Sequence, residues 1–278
     1  MKTSHIVVIV IISVAIILGL IVGLGMRGFV LGGKRGNIGV IEIEEIITSA
    51  KTIVKDLKAL KEDPSIQAII IRIDSPGGGV TASQEIYDEI KKVKETKKVV
   101  ASMGTVAASG GYFVSLPANV IVANPATITG SIGVIMEIPI IDELLKKIGI
   151  QFEVIKSKEF KDIGSPFRPM NDKEKRLLNG VVLDVYAQFI DAIAENRKLS
   201  KDSILKFADG RILTGRQAKE IGLVDTLGSF EDAVKIAGDL TGIEKPNLIY
   251  PFKRMSLIDL LIKPAEMLLI PKLEYLWK

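Results

Sequence analysis

Residues 66–73 read Ile-Gln-Ala-Ile-Ile-Ile-Arg-Ile, aliphatic at nearly every position. A strand that is apolar on both faces has to be covered on both faces. That is the mark of a parallel sheet with helices packed on it, since an antiparallel strand with one wet face would alternate. The run leads into Asp74-Ser-Pro-Gly-Gly-Gly79, and Thr81 to Glu95 follows with Ile86, Ile90 and Val93 on one helical side. The same rhythm recurs. Ile38–Ile43 reads as a strand and Thr48–Leu60 as a helix. Val99–Met103, Asn119–Ala123, Ile132–Met136 and Phe152–Ile155 read as strands, and Ile141–Ile148 as a helix. Strand, turn and helix in alternation predict an α/β fold with a mainly parallel sheet and right-handed crossovers. After this, Asn171 and Glu174 form a capping box that opens a long helix running toward Asn196. Shorter helices are expected at residues 200–208, 214–221 and 230–240. There is no internal duplication, and one main domain over residues 37–250 is expected.

The two ends differ from this body. Ile6 to Met26 is an uncharged, mostly aliphatic run of 21 residues. At about 1.5 Å per residue it spans a bilayer core of roughly 30 Å, so residues 1–26 are expected to be a transmembrane anchor in contact with lipid. The apolar stretch of a cleaved signal peptide is shorter, about 7–15 residues. Gly23-Leu24-Gly25 is a weak small-x-small site that leaves the cleaved alternative open. Residues 27–36 are Gly-rich and read as a linker. The charges Arg27, Lys34 and Arg35 outnumber Lys2 and would place the body in the cytoplasm, though the bias is small. The tail, residues 251–278, is rich in Leu and Ile, is broken by Pro264 and Pro271, and ends in Tyr275-Leu-Trp-Lys278. It suits core packing, a subunit contact or an interfacial membrane segment equally.

Residue counts narrow the chemistry. The chain is 47% hydrophobic and 25% charged with a net charge of +4, a globular composition without the single-sign block of a nucleic-acid binder. It has no cysteine, which removes disulfides and thiolate metal sites, and its single histidine is His5 in the N-terminal run. A nucleophile here has to be a serine or threonine activated by a lysine or a carboxylate. No metal, nucleotide or redox cofactor is indicated. Ser109 follows a strand and precedes Gly110 and Gly111, although Ala107-Ala-Ser-Gly-Gly is not a Gly-x-Ser-x-Gly elbow. The Gly110 N–H and the Gly77–Gly79 turn can each supply backbone donors to an oxyanion. Lysine is a base only when its pKa is depressed. From residue type and spacing, Lys156, Lys158 and Lys161 are equivalent candidates. Ser131, in Thr129-Gly-Ser-Ile-Gly133, can hold an amine toward a serine or be an ordinary turn residue.

Taken in order, the motifs are specific. They are Asp-Ser-Pro-Gly-Gly-Gly (74–79), Met-Gly-Thr-Val-Ala-Ala-Ser-Gly-Gly-Tyr (103–112), Thr-Gly-Ser-Ile-Gly-Val-Ile (129–135) and Lys-Asp-Ile-Gly-Ser-Pro-Phe-Arg (161–168). Ala-Asp-Gly-Arg (208–211) and Thr-Gly-Arg-Gln-Ala-Lys (214–219) follow. Over about residues 37–240 the chain resembles signal peptide peptidase A of the short, single-domain kind. The resemblance implies a ClpP/crotonase-type fold and a membrane-anchored serine endopeptidase with a Ser–Lys dyad. Ser109 matches the nucleophile, Lys161 the general base and Ser131 the residue that orients the lysine. Gly78 and Gly110 match the oxyanion-hole positions. The resemblance further implies apolar peptide substrates such as signal-peptide remnants, a homo-oligomer (an octamer), and a catalytic domain outside the cytoplasm, against the hint of the Arg27 flank. The alternatives are a related peptidase acting on one membrane-protein partner, and a non-catalytic crotonase-like binder of acyl thioesters.

Overall fold

The computed structural model describes residues 37–251 and the backbone of residues 273–276. The apolar run 6–26, the linker 27–36 and most of the tail lie outside the described residues. Contacts divide the chain into residues 1–36 and 37–278.

Within the second unit one ten-stranded sheet forms the centre. Its main strands are β1 (Ile38–Ile47), β2 (Ala68–Gly79), β3 (Lys98–Ala108) and β4 (Val120–Ala123). Shorter ones are β5 (Ile128–Gly130), β6 (Ile135–Met136), β7 (Ile212–Thr214), β8 (Thr226–Leu227), β9 (Leu248–Ile249) and β10 (Leu273–Leu276). The helices are α1 (Lys51–Glu62), α2 (Val80–Lys94), α3 (Gly110–Ser115), α4 (Asp142–Lys147), α5 (Asp172–Arg197), α6 (Lys201–Leu205), α7 (Gly215–Glu220) and α8 (Phe230–Asp239). β1 pairs with β2, β2 with β3, β3 with β4 and β4 with β8, all in parallel. The expected α/β class with a mostly parallel sheet is the class found.

The unbroken apolar run in β2 is explained by its neighbours. Ile69, Ile71 and Ile73 enter a large core with Ile86 and Ile90 of α2, Phe113 of α3 and Phe189 of α5. Ala68 and Ile70 enter a second core on the opposite face with Val40, Val100 and the α8 residues Ala233 and Val234. Each fully buried isoleucine contributes about 1.5–3 kcal/mol. The capping box is present: Glu174 N–H donates to Asn171 Oδ1 at 3.0 Å, and Asn171 N–H donates to Glu174 Oε2 at 2.9 Å. Among the described residues α5 is the one helix long and apolar enough to cross a membrane by length and composition. Its stripe of Val185, Phe189, Ile190 and Ile193 is packed in the large core.

Two expected strands are corrected. Phe152–Ile155 forms none. A strand requires a partner ladder, no described strand pairs with this segment, and Ile155 is 96% exposed. The expected strand Ile132–Met136 shrinks to the two residues of β6.

The carboxyl ends of β2 and β3 diverge. The β2–β3 ladder shifts register after Ile73, and its last pair is Ser75 with Ala107. Beyond that point Val106–Ala108 of β3 pairs with β5, and Gly77–Gly79 of β2 pairs antiparallel with β10. β10 in turn pairs antiparallel with β6. The opening between parallel strand ends is where open α/β sheets place their ligands.

Candidate active site

The two diverging strands deliver the two halves of the site. β3 ends at Ala108, and Ser109 turns the chain into α3 with φ 54° and ψ −118°. This left-handed backbone is uncommon for a residue with a Cβ. It is held by the Ser109 N–H, which donates to Gly130 O at 2.8 Å, and by Ser109 O, which accepts from Phe113 N–H at 2.8 Å. Ser109 is buried, and its Oγ makes no hydrogen bond among the described residues. A buried polar atom without a partner calls for an explanation, and a catalytic role is one.

β2 delivers the glycines. As the sequence suggests, the strand ends in Gly77–Gly79 and a helix follows at once. Ser75 fixes it: its hydroxyl donates to Glu45 O at 2.5 Å and accepts from Gly77 N–H at 3.1 Å. Glu45, at φ 57°, is the bulge in β1 that makes this possible. A Cβ on Gly78 would lie 2.3 Å from Ile47 O. A Cβ on Gly110 would lie 3.2 Å from Gly78 N and 2.7 Å from Ser83 Oγ. The backbones of Gly78 and Gly110 are therefore in direct contact beside Ser109, and only glycine permits the approach. Ser83 Oγ, fully buried in α2 against Gly110, is the other unpaired buried hydroxyl among the described residues.

Ser131 follows Gly130, whose carbonyl holds the Ser109 N–H, so it stands next to the nucleophile candidate. It too has a left-handed backbone, φ 49°, and its N–H donates to Arg211 O at 2.8 Å. It opens onto a cleft of about 570 Å³ walled by Val134, Ile135, Val182, Leu183 and Tyr186, with Glu137 and Asp209 at its margin. Ser109, Ser131, Gly78 and Gly110 thus come together in one chain.

Lys161 does not join them. It lies exposed in the segment after α4, and Ser109 Oγ makes no hydrogen bond to it within the chain. Its competitor Lys156 is committed elsewhere: Nζ pairs with Asp162 Oδ1 at 2.6 Å and donates to Glu159 O at 3.0 Å. No group of metal-ligating side chains occurs among the described residues.

A buried hydroxyl without a partner among the described residues, at the mouth of an α/β sheet and beside a glycine backbone, suits the nucleophile of a serine hydrolase. Comparison with known proteins makes this specific. The model of peptidase family S49 matches residues 91–244, and the chain belongs to that family. It is a serine peptidase. A candidate protease of Synechocystis sp. is 45% identical over 212 residues, 76% of each chain. Protease 4 of Salmonella typhi is 34% identical over 85% of this chain and 37% of its own length. The chloroplastic serine protease SPPA of Arabidopsis thaliana is 39% identical over 68% of this chain and 28% of its own. A solved structure with a similar fold is a ClpP1 mutant of Listeria monocytogenes, with a TM-score of 0.49 and 22% identity over 70% of this chain and 93% of that one. Family membership favours a peptidase over the thioester-binding alternative.

Sequence reasoning missed three contributors. Ser75 was hidden by the glycines beside it. Ser83 lies within the expected helix Thr81–Glu95 and belongs to none of the motifs. Arg168, which gathers Asp162 and Glu174, gave no signal, because its partners are brought to it by the fold.

Proposed function

We propose that the chain is a membrane-anchored endopeptidase that hydrolyses apolar, extended peptides such as signal-peptide remnants, with Ser109 as nucleophile and Lys161 as general base. The observation that carries this reading is β10. A segment of extended chain lies antiparallel on Gly77–Gly79, in contact with α3, with its other edge on β6. A peptide substrate taking that seat would gain strand hydrogen bonds on both edges, and its backbone would run past Ser109.

In the proposed reaction the Lys161 amine takes the Ser109 hydroxyl proton as Oγ bonds to the substrate carbonyl carbon. The carbonyl oxygen gains the electron pair and is stabilised by the Gly78 and Gly110 N–H groups. The C–N bond then breaks, and the leaving nitrogen receives the proton from Lys161. Water, deprotonated by the same amine, bonds to the acyl carbon; the C–Oγ bond breaks, the peptide acid leaves, and Lys161 returns the proton to Ser109 Oγ.

Because Lys161 is exposed and the Ser109 hydroxyl has no partner among the described residues, the proposed lysine is supplied by a neighbouring copy. Ile148, Ile150, Phe152 and Ile155, exposed around the lysine segment, supply apolar surface for that contact. The homo-oligomer follows from this reading, whereas anchoring rests on the apolar run 6–26. Ser131 would orient the incoming amine.

The test is subunit mixing. Full-length Ser109→Ala and Lys161→Ala proteins are each expected to leave an apolar leader peptide uncut, and the two mixed and reassembled are expected to cut it. A mixture as inactive as its components overturns lysine supply in trans. Normal cutting by either single variant overturns the dyad. Anchoring is tested by membrane fractionation at alkaline pH, where deletion of residues 6–26 should release the protein.

A further inference from the structure

The residue after Lys161 is an acid, Asp162. A free carboxylate within about 4–6 Å favours an ammonium ion and would spoil a lysine base. The structure keeps this carboxylate occupied. Oδ1 accepts from Lys156 Nζ at 2.6 Å, and Oδ2 accepts from Arg168 Nε at 2.8 Å. Arg168 is itself locked. Its two terminal nitrogens donate to both oxygens of Glu174, at 2.9 and 2.5 Å, and also reach Pro169 O and Asp162 O. Glu174 is 1% exposed and is fixed in the first turn of α5 by the capping box. A planar guanidinium that bridges two carboxylates is a geometry lysine cannot copy.

We propose that Arg168, with Lys156 in support, is a positioning residue that keeps the Asp162 carboxylate from pairing with Lys161. The inference rests on the reading of Lys161 as base. Between them the two cations occupy both carboxylate oxygens. Arg168 and Lys156 hold the Asp162 carboxyl well below the usual range, so it stays available as their partner at any working pH. The other charges near the segment are Lys158 and Glu159 within it and Lys173 on α5, and Glu159 is engaged by Lys173 at 3.4 Å.

The experiment is the pH profile of kcat/KM for the full-length protein on an apolar peptide, because its acid limb reports the free enzyme's base. Arg168→Met leaves Asp162 Oδ2 without its side-chain partner, and the acid limb should rise by about 1 pH unit. Activity at neutral pH should fall about 10-fold and recover at alkaline pH. Adding Asp162→Asn to Arg168→Met should return the limb toward the original position, and Arg168→Lys should shift it less than Arg168→Met. If Arg168→Met does not fold, Lys156→Met at the outer edge of the cluster must show the same upward shift, smaller in size. A loss equal at every pH, or a limb that the added Asp162→Asn does not move, makes the cluster merely structural and overturns the inference. Normal turnover by Lys161→Ala would instead remove the base assignment, a result separate from both.

Discussion

The sheet and the excursion from residue 135 to 170 use the same kinds of side chain in opposite ways. Ile69, Ile70 and Ile71 are at most 1% exposed, closed in by helices on both faces. Ile148, Phe152 and Ile155 are 61%, 53% and 96% exposed. Phe152 and Phe167 stack on each other at 4.1 Å and 9° with no core beneath them. Apolar content therefore does not decide what is inside. A neighbouring element that covers the face does. The comparison also divides the chemistry, since the closed region holds Ser109 and the open region holds Lys161. One half of the proposed dyad is finished by folding, and the other needs a further event.

The division can be broken in several ways. The largest effect is expected from Ser109→Ala, which should lower peptide turnover by at least about 10³-fold while leaving the fold intact. Cleavage assays with circular dichroism on the same sample check both clauses. Next, Ile70→Ala should cost about 2–5 kcal/mol in urea unfolding. Ile155→Ala should change unfolding by less than about 0.5 kcal/mol yet weaken self-association in sedimentation. Equal losses in stability would erase the contrast. Third, Gly110→Ala should destabilise by about 1–3 kcal/mol, because its methyl meets Ser83 Oγ at 2.7 Å. Adding Ser83→Ala should recover part of that loss, which calorimetry can read. The smallest effect concerns acid. Arg168 first, then the Asn171 N–H, holds the Glu174 carboxyl at about 2, against an ordinary 4.5. A depressed carboxyl stabilises the fold above its unfolded value and loses that contribution as pH falls. The α5 start should thus stay ordered at pH 5 and loosen between about 4.5 and 2, as amide exchange at residues 171–175 would report.

Much of the closed region was legible in the sequence. The two-faced apolar run of β2, the stripe of Ile86, Ile90 and Val93, and the Asn171–Glu174 cap are local signals, and local physics preserved them. The nucleophile candidate is narrowed by the lack of cysteine and of any histidine beyond His5, and it and its glycines are singled out by the resemblance of the ordered motifs. The failures lie where partners are distant in the chain. Phe152–Ile155 has strand-like composition but no ladder. The pairing of β10 with Gly77–Gly79 joins residues almost 200 positions apart, which no window can contain. Spacing could not separate Lys156 from Lys161. In the structure Lys156 is engaged by Asp162, which Arg168 also holds, and the choice of Lys161 over Lys158 stays with the proposed function.

Glu45, Ser109 and Ser131 are three of the four described non-glycine residues with positive φ, and all border one corner of the sheet. Each such residue stores about 1–3 kcal/mol of torsional cost, which the rest of the molecule must offset. Ser109 and Ser131 carry side chains the proposed chemistry requires, but Glu45 lends the corner only its carbonyl. Glycine in its place would relax the bulge and leave the hydroxyls untouched. Position 45 is accordingly where a heat-tolerant version of this enzyme should begin.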